Sequence, residues 1–298
     1  MKVITLEQAK SIKFKELSIA LGTFDGLHFG HMALLEAAKS LGGESAAFTF
    51  DSLPSNLLLT DKKPMCLFTL DEKTAAFEKT GIDYLCIASF DRRFACTDKD
   101  AFAALIQSVF SPKKIVAGYN YTYGKHALGN VDTLKEFGDA HGCDVIVIPP
   151  VIYDDEPVSS TRIRECIAAG AVERANALLG YSYSICGEVE KGSGLGNKLG
   201  FPTANISVAK EKAMPLRGVY SVEVDVEGTL YKGVCNIGVK PTVSKGIVET
   251  VEAHLLGMSD DIYGKNITII FIKRLRDEMK FKNKEALIAQ IKRDISNI

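Results

Sequence analysis

The chain has 298 residues, 46% hydrophobic and 24% charged, with a formal net charge of −1. That length favours two domains, and that balance excludes a disordered chain and argues against bulk electrostatic binding to nucleic acid or to an anionic membrane. Seven scattered cysteines, at 66, 86, 96, 143, 166, 186 and 235, form no C-x-x-C pair, which fits reduced, mostly buried thiols better than a disulfide framework or a zinc site.

The start, MKVITLEQAK, has no apolar h-region, and no apolar run comes near the length of a membrane span. The expectation is a cytoplasmic protein, neither secreted nor membrane-spanning. Next come the short apolar runs LSIALG (17–22), ESAAFTF (44–50), YLCIASF (84–90), KIVAGY (114–119) and CDVIVIPPV (143–151). These read as buried strands. Between them, HMALLEAAKSLGG (31–43), LDEKTAAFEKTG (70–81), DKDAFAALIQSVF (98–110) and VDTLKEFGDAHG (131–142) carry apolar residues at helical spacing. Strands alternating with helices of this length predict βαβ units and a doubly wound parallel sheet of Rossmann-like type. Ligands of such sheets bind beyond the carboxyl ends of the strands.

A helical block, SSTRIRECIAAGAVERANALLG (159–180), closes this half, with Gly180 as its C-cap. After it the period changes. Residues 181–192, 218–228, 229–238, 249–257 and 265–276 are β-branched and aromatic runs divided by glycine turns, and one helical pattern, NKEALIAQIKRDISNI (283–298), follows. That pattern predicts a small antiparallel β-barrel with a C-terminal helix. The boundary falls near 180–184, giving domains 1–181 and 182–298. No internal repeat relates them.

The stretch LGTFDGLHFGH (21–31) follows the first buried strand. Gly22 and Gly26 let the backbone bend sharply and approach a bulky ligand. His28 and His31 then stand three apart at a helix start, where free N–H groups and the helix dipole favour phosphate. An isolated H-x-x-H is also an ordinary solvated or capping pair. Metal ligation by histidine is disfavoured, because His126, His141 and His254 complete no ligand cluster.

With FTFDSLP (48–54), GYNYTYGKHALGN (118–130) and VSSTRIRE (158–165) following in order, the stretch GTFDGLHFGH resembles the H-x-G-H signature of nucleotidylyltransferases. In its longer form it resembles the adenylyltransferase module of bacterial bifunctional riboflavin kinase/FAD synthetases. The resemblance implies an ATP site with Gly22, Phe24, Gly26, His28 and His31, and with Ser160, Thr161 and Arg164 around the departing pyrophosphate. It implies Asn120 at the phosphates or a Mg²⁺ ion, and a flavin site touching Asp25, Asn120 and Arg162. Ser159 or Ser160 also suits a plain N-cap. Arg162 and Arg164 point about 200° apart on a regular helix, which favours Arg164 for the phosphates. Leu53 stands where the family often has histidine in F-D-P-H-P, and NYTY (120–123) where it often has aspartate-phenylalanine-arginine-phenylalanine.

In the second half, GEVEKGSGLGNKLGFPTANI (187–206) fits neither G-x-G-x-x-G nor G-x-x-x-x-G-K-[ST]. Alone it reads as a barrel loop. Followed by RGVYSVEV (217–224), GVCNIGVKPTV (233–243), VEAHLLG (251–257) and DIYGKNITIIFIKRLRDEMKF (261–281), it resembles the riboflavin kinase module, whose glycine loop ends in L-G-F-P-T-A-N. The resemblance implies ATP held by Gly192, Gly194, Gly196, Lys198, Gly200, Pro202, Thr203 and Asn205, with Mg²⁺ on Thr203 and Asn205 and with Glu252 as base at the flavin. Without it, Glu252 is the wet face of a strand. Lys198 replaces a usual arginine, and Arg276 and Lys280 read as surface charge.

The expected protein is therefore a bifunctional enzyme of flavin-cofactor synthesis, using ATP and Mg²⁺ to convert riboflavin to FMN and FMN to FAD. Its partners are small molecules, without nucleic acid or membrane, and oligomer formation is compatible with the composition. The rivals are a chain with one active module, a cytidylyltransferase for another phosphorylated alcohol, and a flavin-binding regulator without catalysis.

Overall fold

The computed structural model describes residues 1–59, 65–192, 196, 199–242 and 246–298, with side chains of 240–242 and 246–249 excepted. The chain forms two compact units, Met1–Ser160 and Thr161–Ile298.

The first unit runs β1 (Lys2–Thr5), α1 (Leu6–Ala9), β2 (Ser18–Leu21), α2 (Phe29–Ser40), β3 (Ser45–Phe50), α3 (Pro54–Leu58), α4 (Leu70–Glu78), β4 (Tyr84–Ala88), α5 (Arg92–Ala95) and α6 (Lys99–Phe110). It continues through β5 (Lys114–Gly118), the short ribbon β6 (Thr122–Tyr123) and β7 (Gly129–Asn130), α7 (Val131–His141), β8 (Asp144–Ile148), and the hairpin β9 (Ile152–Tyr153) and β10 (Glu156–Pro157). Six strands make one parallel sheet in the order β1-β4-β3-β2-β5-β8. Both faces are buried, as parallel sheets require. Ile19 and Leu21 of β2 face a cluster with Phe48, Phe102, Ile106 and Phe110, while Ala20 faces another with Leu35, Phe77 and Val116. The helices on each face follow from spacing: α6 buries Phe102, Ala103, Ile106, Val109 and Phe110, and Asp98 caps its start by accepting from the Ala101 N–H at 2.8 Å.

All five predicted strands of this half are present. The sheet has a sixth, β1, because the four residues KVIT find a parallel partner in β4 from Tyr84 to Ile87. The order of strands reverses beside β2, so the carboxyl ends of β2 and β5 form the switch point where ligands bind in such sheets.

The helical block at 159–180 forms two helices, α8 (Ser160–Ala168) and α9 (Val172–Leu179), separated at Gly170, whose φ of +76° is left-handed. Gly180 caps α9 as expected, its N–H donating to Asn176 O at 2.9 Å. The second unit then builds β11 (Ser184–Glu190), β12 (Ala204–Val208), β13 (Gly218–Val226), β14 (Thr229–Thr242), β15 (Gly246–Leu255), β16 (Asn266–Arg276) and α10 (Lys284–Ser296). The strands close into an antiparallel barrel, β11-β12-β15-β14-β13-β16. Inward positions alternate along β13, with Tyr220, Val222 and Val224 buried. Asn176 ties α9 to the barrel: its amide donates to Phe271 O at 2.9 Å and accepts from the Tyr183 N–H at 2.7 Å.

One surface-charge reading is corrected here. Arg276 forms a two-pronged pair with Asp294 of α10, Nε to Oδ1 at 3.0 Å and Nη2 to Oδ2 at 2.7 Å, with the Asp294 side chain only 4% exposed. The partners are 18 residues apart, on a strand and a helix, so no local pattern announces them.

Candidate active sites

The turn after β2 is bent by a run of unusual backbone. Phe24, Gly26 and Leu27 have φ of +50°, +87° and +34°, a region costly for the two side-chain-bearing residues and free for the glycine. The bend delivers His28 as the N-cap of α2, with no side-chain cap bond, and His31 one turn later. Their rings stack at 3.7 Å, and Phe24 meets His31 edge-on at 5.3 Å. Gly30 lets the two rings sit close, since a Cβ there would crowd the His28 ring at 3.1 Å. Two imidazoles with donor nitrogens thus stand at a helix N-terminus at the switch point.

Asp25 is 2% exposed. Its carboxylate accepts the N–H groups of Leu67 and Phe68 at 3.0 Å, and its own main-chain carbonyl accepts from Ser160 Oγ at 2.8 Å. Two sequence-selected residues, Asp25 and Ser160, are therefore brought together. Asn120 lies exposed in the turn that follows β5, beside β2 in the sheet. Thr161 is exposed, and Arg162 and Arg164 are half-buried on α8. Leu53, where histidine is usual, is the buried residue before α3, with Pro54 opening that helix.

Beside this turn a cavity of about 600 Å³ is walled by aromatic rings. Phe50 meets Phe90 at 4.9 Å and Phe94 at 5.2 Å, and Tyr121 stacks on Tyr123 at 5.8 Å. Gly22 and Thr23 of the histidine turn are part of the wall, with Arg92, Lys125 and His126 also lining the cavity. None of these aromatic residues was among the flavin candidates. The available signal was their alternation in NYTY and the i, i+4 pair Phe90 and Phe94.

Asp51 accepts from the N–H of Phe90, a residue of the cavity wall, at 3.1 Å. Burial raises its carboxyl, yet the hydrogen bonds from Ser89, the Phe90 N–H and Ser52 outweigh this and hold it below the usual carboxylate value. Lys73, also unnoticed in the sequence, is 3% exposed. Its ammonium donates to Phe50 O at 2.9 Å, Thr23 O at 3.1 Å and Thr49 Oγ1 at 3.5 Å.

In the barrel, Asn205, Glu252 and Asn236 are register partners across β12, β15 and β14. Directly opposed residues of this kind project from one face about 5 Å apart. Glu252 is half-buried, and its negative charge adds to the burial that raises the Cys235 thiol. Gly192 and Gly196 lie close to Asn205 and Thr203. A Cβ on Gly192 would overlap the Asn205 amide, and one on Gly196 would overlap Phe201 O and lie 3.0 Å from Thr203 Oγ1. Gly200 adopts φ of +83° with open space around it. His254 donates its Nδ1–H to Pro202 O at 2.7 Å, and Phe201 packs edge-on against its ring at 5.5 Å, fixing the PTAN segment beside β15. Gly194 and Lys198 lie outside the described residues.

A doubly wound sheet with histidines at its switch point, continuing into a closed barrel with a glycine cradle beside a carboxylate, defines a two-module phosphate-transfer enzyme. The FAD synthetase family model matches residues 10–162, and the riboflavin kinase model matches residues 179–298. The bifunctional riboflavin kinase/FMN adenylyltransferase of Bacillus subtilis (strain 168) is 36% identical over 98% of this chain and 92% of its own length. That of Escherichia coli (strain K12) is 35% identical over 93% and 90%. A solved structure from Streptococcus pneumoniae, titled a macrolide-efflux protein, matches with a TM-score of 0.90 and 29% identity over 99% of this chain and 98% of its own. No helix among the described residues here is long and apolar enough to cross a membrane. The chain belongs to the bifunctional riboflavin kinase/FMN adenylyltransferase family, and it carries both enzyme modules.

Proposed function

We propose that residues 1–181 transfer an adenylyl group from ATP to FMN and residues 182–298 phosphorylate riboflavin. The family matches end at 162 and begin at 179, which supports a division there even though α8 and α9 pack with the barrel.

In the first module the attacking phosphate of FMN is already anionic, so no base is needed. Its oxygen bonds to the α-phosphorus of ATP as pyrophosphate leaves, and catalysis rests on alignment and on spreading negative charge. His28 and His31 serve the ATP phosphates from the helix start, with Gly22, Phe24 and Gly26 shaping the turn, Asn120 in the turn after β5, and Ser160 at the pyrophosphate. The aromatic cavity takes the flavin ring. Asp25 acts by holding Leu67 and Phe68 to the turn. The observation that carries this reading is that Gly22 and Thr23 belong both to the histidine turn and to the cavity wall.

In the second module the attacking hydroxyl is neutral. Glu252 accepts its proton as the oxygen attacks the γ-phosphorus and ADP leaves. The loop around Gly192, Gly194, Gly196, Lys198, Gly200 and Pro202 cradles the phosphates. Thr203 and Asn205 carry hard oxygen donors beside Gly196 and Gly192, a chemistry that would suit Mg²⁺. Mg²⁺ bound there would neutralise phosphate charge. Supplying the full chain with riboflavin, ATP and Mg²⁺ tests the proposal: FAD and pyrophosphate are expected, and FMN without FAD would reduce the chain to a kinase.

A further inference from the structure

The buried lysine of α4 has no part in the chemistry above, and its setting is unusual. A lysine buried to this depth must find an acceptor for each of three donors. Lys73 finds them in the carbonyls of Thr23 and Phe50 and in the hydroxyl of Thr49. Thr23 follows β2 in the histidine turn, and Phe50 ends β3 at the start of the loop through Asp51 and Pro54. Both residues line the aromatic cavity. Thr49 Oγ1 itself donates to Thr23 O at 2.9 Å, so one cationic centre closes a small network between the two loops.

The helix that bears it is fastened to the same turn at a second point. Asp25 holds the Leu67 and Phe68 N–H groups, and Thr69 directly after them is the capping-box N-cap of α4. The helix start and the lysine one turn inside it therefore grip the histidine turn from two directions.

We propose that Lys73 is a positioning residue for adenylyl transfer, its ammonium setting the separation between the histidine turn and the flavin-side loop so that the two bound phosphates meet in line. The inference rests on reading the first module as the adenylyl-transfer site. A buried ammonium is costly to keep where an apolar side chain would fill the space, and the carbonyls it grips belong to the two walls whose spacing the reaction needs. Burial lowers its proton affinity against the opposing pull of Asp25, Cys66 and Asp51.

The test uses the full chain with K73M and K73R, and T49V as a gentler variant that removes one acceptor while keeping the fold. FAD formation from FMN and ATP and FMN formation from riboflavin and ATP are measured on each preparation, beside the folded fraction from near-ultraviolet circular dichroism. Misplacement of reacting groups predicts a fall in adenylyl-transfer kcat on the order of tenfold or more for K73M, with KM for ATP and FMN moving less. It also predicts a smaller fall for T49V, partial recovery in K73R and an unchanged kinase rate. A loss that merely equals the loss of folded fraction, or K73M and T49V turning over like wild type, would overturn the role. Wild type forming no FAD would overturn the reading of the site and this role with it.

Discussion

Asn205 and Glu252 are direct register partners on neighbouring barrel strands, so the candidate Mg²⁺ ligand and the candidate base stand side by side on one face. Replacing Glu252 by glutamine keeps shape and hydrogen bonding while removing the proton acceptor. We expect E252Q to lose FMN formation by about 10²- to 10⁴-fold and to retain conversion of supplied FMN to FAD, as read by flavin chromatography.

His31→Ala should divide the activities the other way. Removing one charge-stabilising donor costs about 10²-fold in comparable sites. With riboflavin as substrate, H31A should accumulate FMN and make little FAD; equal FAD output from the variant would remove the histidine pair from the reaction.

Gly196→Ala tests the cradle. The added methyl would overlap Phe201 O and crowd Thr203 Oγ1, an overpacking of about 1–3 kcal/mol. Kinase KM for ATP should rise by about tenfold, which corresponds to about 1.4 kcal/mol, while adenylyl transfer stays unchanged. Steady-state kinetics of both reactions on one sample decide it.

Asp83 gives a pH prediction. The Ser45 hydroxyl and N–H bond its carboxylate at 2.7 and 2.9 Å and hold its carboxyl below the usual 3.8. A lowered folded-state value means stabilisation that is complete above the unfolded value and lost as pH falls through the folded one. D83N should therefore cost about 1 kcal/mol at neutral pH, and the difference from wild type should shrink below pH 3.8. Hydrogen exchange of β3 and β4 amides across that range provides the measurement.

Much of this architecture was legible because it is periodic or local. The five runs buried on both faces, the helical spacing between them, the left-handed cap at Gly180 and the histidine turn all lie within short windows. What escaped depends on distant partners. β1 is four residues whose only signal is the strand it joins, and β12 hides behind Pro202 at the end of a glycine loop. Lys73 looks like any charged residue of an amphipathic helix until its three acceptors, from residues 23, 49 and 50, converge on it. The aromatic wall is assembled from the separate segments 48–50, 90–94, 102 and 121–123, and Arg276 became structural only once α10 folded back onto it.

That last pair has a consequence for how the protein responds to salt. Most other ion pairs among the described residues, such as Lys10–Glu7 and Lys265–Glu227, are solvent-exposed and fade once the Debye length contracts. The Arg276–Asp294 fork is shielded from counterions. Raising ionic strength should therefore weaken the hold of both pockets on polyphosphate well before it loosens the terminal helix, so that inhibition by salt is a reversible loss of nucleotide capture in an intact scaffold.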